Sequence, residues 1–121
     1  MLTLSPKHMQ VFSAAALESF EERVLAHLEK CFPKQCKALG ETELRETIRY
    51  GIKRAAKYGI SAERDVCKYT DVMLVFGRDF DIDSELPWAS AILSDETLQQ
   101  PTAKIERLYQ VAMERFDQMA V

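Results

Sequence analysis

Apolar residues recur every three or four positions along most of the chain, and the recurrence breaks where proline or glycine stands. That spacing lines one face of a helix, whereas a half-buried strand would need strict alternation. The one strand-like run, Val72 to Phe76, lies inside a helical pattern and does not alternate. The punctuation therefore predicts an all-α fold: a single compact domain of about five helices near 6–32, 41–58, 62–76, 87–94 and 102–119.

Each boundary has a local cause. Ser5 and Pro6 form a start signal, a capping hydroxyl followed by proline at the first helical position. Met9, Phe12, Ala16, Phe20, Val24, Leu28 and Cys31 then share a face, with Glu18, Glu21, Glu22, Glu29 and Lys30 on the other side. Pro33 stops this helix, because the residue before a proline is pushed out of helical geometry. The second helix is acidic at its start (Glu41, Glu43, Glu46) and basic at its end (Arg49, Lys53, Arg54, Lys57), which complements the helix dipole. Leu44, Ile48, Ile52, Ala55 and Ala56 form its apolar stripe, and Gly59 is its left-handed stop. Gly51, in mid-helix, predicts close approach of a neighbouring helix.

Ser61 is placed to cap the third helix, which turns Val66, Tyr69, Met73 and Phe76 inward and stops at Gly77. Pro87 opens the fourth, with Trp88, Ala91, Ile92 and Leu93, and Pro101 opens the fifth, with Ile105, Leu108, Ala112 and Phe116 on one face.

Charge and composition exclude several function classes. Sixteen basic residues stand against nineteen acidic ones, a net charge of -3, which argues against a protein devoted to phosphate backbones. No apolar run reaches a membrane-spanning length, and the N-terminus lacks the parts of a secretory signal. Three cysteines, an odd number, fit a reducing cytoplasm better than a disulfide framework.

Asp79, Asp81 and Asp83 alternate like the first ligands of a calcium loop. That loop needs glycine at its sixth position and a bidentate glutamate at its twelfth, and Ser84 and Ser90 stand there. The triplet reads instead as the junction between two helices, with Asp83, Ser84 and Glu85 preparing the start of the second. Cys31, Cys36 and His27 lack the paired spacing of structural zinc, with Cys67 a distant fourth, so no metal and no cofactor is expected. There is no nucleophile elbow, zinc-protease motif or phosphate loop, and the expectation is a non-enzyme. The Ala55–Lys68 stretch has the turn shape of a helix-turn-helix, but Glu63 and Asp65 on its second helix would repel phosphates.

Three segments in order, "IRYGIKRAAKYGI", "RDVCKYTDVMLVFGRDFD" and "PWASAIL", resemble small cytoplasmic proteins encoded beside type VI secretion effectors and their PAAR-tip or chaperone genes. The likeness runs through residues 44–109, with Thr70 in place of an expected apolar residue. It implies an accessory role: an adaptor or co-chaperone binding a secretion effector, its dedicated chaperone, or both. An immunity protein holding a cognate toxin and a helix-turn-helix DNA-binding regulator are the alternatives. Aromatic residues dominate interface energetics, and the nominated partner-binding residues are Tyr58, Asp79, Phe80, Asp81 and Trp88, with Asp79 and Asp81 the more exposed.

Overall fold

The computed structural model describes residues 14–119, all helical or loop, with no strand among them. The helices are α1 (Ala14–Cys31), α2 (Pro33–Leu39), α3 (Glu41–Lys57), α4 (Glu63–Phe76), α5 (Pro87–Leu93) and α6 (Pro101–Met119). Residues 6–13 of the expected first helix, with the Ser5–Pro6 start signal, Met9 and Phe12, lie outside the described residues. No described helix is long and apolar enough to cross a membrane.

There are six helices where the sequence predicts five. Pro33 does end α1, but it also occupies the first turn of α2, where its fixed φ suits a helix and its missing N–H costs nothing. The chain turns a corner without a loop.

α4 is the centre. It packs most extensively on α3 and α6 and also touches α1 and α2, while α5 is held by α6. Its Val66, Tyr69, Val72 and Met73 are buried, with Leu28 of α1, Leu44 and Ile48 of α3, and Ile105 and Leu108 of α6. Gly51 lets α3 reach α4. A Cβ built there would lie 2.8 Å from Met73 Sδ and 2.8 Å from Thr70 Cγ2. Thr70 suits this buried position because its hydroxyl donates to the Cys67 carbonyl within its own helix (2.7 Å) and leaves its methyl for packing.

α3 ends at Tyr58 with Gly59 at φ 77°. The Ile60 N–H returns to the Ala55 carbonyl and the Gly59 N–H to that of Ala56, the paired bonds of a Schellman stop. α4 begins at Glu63, with Ala62 rather than Ser61 in the cap position and no side-chain cap bond there. Likewise Leu86, not Ser84, precedes α5, and Asp83 accepts from the Glu85 N–H to shape the turn ahead of it. Cys31 and Ala56, expected inward, are exposed.

Glu21, expected on the solvent side of α1, is buried. It is the anchor of an α1–α3 tether, accepting from Arg49 Nε (2.8 Å) and Arg45 Nη1 (2.8 Å). The Arg49 hydrogen bond, with Arg45 beside it, holds the Glu21 carboxyl below its ordinary range against the opposing effect of burial.

Two outcomes follow. Gly51→Ala should destabilise the protein by up to about 2 kcal/mol, because overpacking against Met73 and Thr70, at about 1–3 kcal/mol, outweighs the roughly 1 kcal/mol gained in helix propensity; urea denaturation measures it. Glu21 is more readily ionised folded than unfolded, so its stabilisation is complete above the ordinary value of 4.5 and is lost as pH falls through the lower folded value. The Tm gap between wild type and Glu21→Gln should therefore be wide at neutral pH and narrow as pH falls below the ordinary value of 4.5; a gap that does not change with pH contradicts the assignment.

Candidate functional site

The turn between α4 and α5 carries most of the nominated residues, and its ladder of contacts explains the aspartate pattern. Arg78 reaches Thr47 Oγ1 (3.3 Å) and Glu43 Oε2 (3.1 Å), Asp79 accepts from the Tyr50 hydroxyl, and Asp81 accepts from Arg54 Nε (2.7 Å) and the Tyr58 hydroxyl. Residues 43, 47, 50, 54 and 58 follow one another at helical spacing along α3. The turn is buckled lengthwise onto that helix. Asp79, Asp81 and Asp83 each serve a different partner and do not converge on a common point as calcium ligands would.

Two of the nominated residues are interior. Phe80 is buried with its ring 5.0 Å from that of Tyr69. Asp81 is buried too, contrary to the expected exposure, because Arg54 and Tyr58 draw it under the turn. Burial first, and then the Asp81 hydrogen bond, push the Tyr58 hydroxyl up to about 12. Asp79 stays exposed. Trp88 is half-buried, edge-on to Phe76 of α4 (5.3 Å) with the Arg115 guanidinium of α6 over its ring (5.1 Å). Beside it lies an open groove of about 450 Å³ lined by Phe76, Glu85, Leu86, Trp88 and Met119. Ile82, at 65% exposure, stands three residues ahead of Glu85.

A second, larger groove of about 530 Å³ runs between α1, α4 and α6, with Phe20 and Val24 in its floor and Arg23, Glu63, Arg64 and Lys68 on its walls. It gathers residues that are far apart in sequence. His27 Nε2 lies 2.9 Å from Asp71 Oδ1 and 3.1 Å from Oδ2, so Nε2 carries the proton and Nδ1 is left facing Cys31 Sγ at 3.7 Å. Tyr109 lines the same groove beside Asp71. Burial is the main reason that the Asp71 carboxyl is raised, and it pushes the Cys67 thiol up to about 12. Thiol, imidazole and carboxylate thus stand in the order used by cysteine hydrolases. The thiol, however, is exposed and belongs to the same helical face as its histidine, and its contact is long for a nucleophile and base.

Sequence spacing missed this cluster because its third member, Asp71, looked like one more helical acid. The i, i+4 pair Cys67 and Asp71 was the available signal. Cys36, weighed with Cys31 as a zinc pair and set aside, faces a different hollow near Pro33 and Leu44.

The helix-turn-helix reading gains nothing from the geometry. α4 would be the reading helix, yet Asp65, Val66 and Tyr69 are buried and Asp65 accepts from Thr102 of α6 (2.7 Å). Arg49 and Arg54 are already paired with Glu21 and Asp81.

Removing Asp81 leaves the Arg54 charge and the Tyr58 hydroxyl without their acceptor. Asp81→Ala should cost about 3 kcal/mol, whereas the exposed Asp79→Asn should stay within about 0.5 kcal/mol. Chemical denaturation of the two variants measures the difference; equal effects would contradict the buckle.

No protein-family model matches the chain, and no curated protein or solved structure matches it.

Proposed function

We propose that the chain is a non-enzymatic, cytoplasmic adaptor or co-chaperone that holds a type VI secretion effector, its dedicated chaperone, or both. The observation that carries the binding role is the surface beside the buckled turn. There the half-buried Trp88 borders an open groove, and the turn that leads to it carries exposed Ile82 along the same stretch of chain as the exposed acids Asp79, Asp83 and Glu85. Such a surface suits a partner segment with an apolar anchor flanked by lysine or arginine, since a desolvated aromatic at the centre with charges at the rim is the usual anatomy of a binding hot spot. The secretion context rests on the order of the three segments that resemble effector-linked accessory proteins.

Within the nominated set, the contact role falls to Asp79 and Trp88. Tyr58, Phe80 and Asp81 hold the turn in place for them. Ile82 joins the contact set by exposure.

Purification of the tagged protein from its native host, with bound proteins identified by mass spectrometry, tests the reading. An effector recovered with its chaperone, and capture reduced at least about tenfold by Ile82→Asp, is the expected outcome. A toxin domain recovered alone would replace the adaptor with an immunity protein. Duplex DNA recovered in a salt-sensitive complex would move the function to regulation.

A further inference from the structure

We propose that His27, Cys67 and Asp71 form a binding site for a transition-metal dication of the zinc type. One nitrogen, one sulfur and one carboxylate oxygen from these residues lie within 4.8 Å of one another. A tetrahedral ion with bonds of about 2.0–2.3 Å would hold such atoms about 3.3–3.7 Å apart. The closure needed is about 1 Å, within the reach of side-chain rotation. Asp71 and Cys67 sit one turn apart on the inner side of α4 and define the fixed half of the site. His27 comes from α1 with 36% of its side chain exposed and supplies the adjustable half.

The donor set points to the kind of ion. A thiolate with an imidazole favours zinc or cobalt, whereas magnesium and calcium take oxygen ligands almost exclusively. Three protein ligands at the wall of an open groove leave a fourth position for water. On binding, the ion replaces a proton on sulfur and, if it takes Nε2, the proton now shared between His27 and Asp71. Tyr109, which lines the same groove, stands beside the carboxylate. Two cations of the groove wall are neutralised on the spot: Lys68 by Glu106 and Arg23 by Glu63 (2.7 Å). The third, Arg64, is exposed.

The site differs from the His27, Cys31 and Cys36 combination that the sequence spacing argued against. Cys36 has no part in it, and Asp71 replaces it. That difference supplies the control.

Cobalt(II) titration of the reduced, chelator-treated full chain is the test, read by thiolate-to-cobalt charge-transfer absorption and by zinc(II) competition. The expected result is one ion per chain, with the charge-transfer band lost in Cys67→Ala and retained in Cys36→Ala. Zinc affinity should fall at least about tenfold in His27→Gln, whose half-exposed position leaves the fold intact. If wild type develops no band, the proposal is overturned, whatever the variants do. A band that survives Cys67→Ala, or one abolished by Cys36→Ala, overturns it equally.

Discussion

The contact on which the rest depends is the close approach of α3 to α4 at Gly51. Without a side chain there, Thr70 and Met73 of α4 can lie against the backbone of α3. α4 then becomes the axis around which α1, α2, α3 and α6 gather. Protein interiors are close-packed, so one added methyl group at such a point is felt across the interface. The Schellman stop at Gly59 matters for the same reason. It reverses the chain tightly enough for α4 to return beside the helix that preceded it.

Onto this apolar frame the protein lays two polar fastenings. Glu21 ties α1 to Arg45 and Arg49 of α3, and the Arg78–Asp81 segment is buckled along the same helix from Glu43 to Tyr58. Both rely on buried carboxylates that would be costly if left alone. α3 is therefore charged on two sides for structural reasons, and Arg49 and Arg54 of its basic C-terminal half are committed to internal acids. Ile82 of the buckled turn remains exposed, and Trp88 borders an open groove at α5 and α6.

Much of this was legible in the chain. The all-α class, the limits of α3 and α4, the role of Gly51 and the inward turn of Val66, Tyr69 and Met73 follow from spacing and punctuation. α2 was not, because seven residues carry too little periodicity to distinguish a short helix from a loop. Of the residues nominated for partner binding, Phe80 packs on Tyr69, and Trp88 lies between Phe76 of α4 and Arg115 of α6. Asp81 and Glu21 were misplaced toward solvent, since a carboxylate becomes buried only when distant arginines meet it.

What the sequence by itself determined is local: where helices start and stop, which faces are apolar, and that the aspartate triplet lacks the rest of a calcium loop. These depend on backbone preferences and on spacings of three or four residues, which a linear chain states directly. What only the tertiary structure decided is which side chains meet across helices: Asp81 with Arg54, Glu21 with Arg45 and Arg49, and His27 with Cys67 and Asp71. His27 and Asp71 are 44 residues apart, and their meeting depends on the rotation of α1 against α4. That rotation is set by how the whole core packs, which no local pattern encodes.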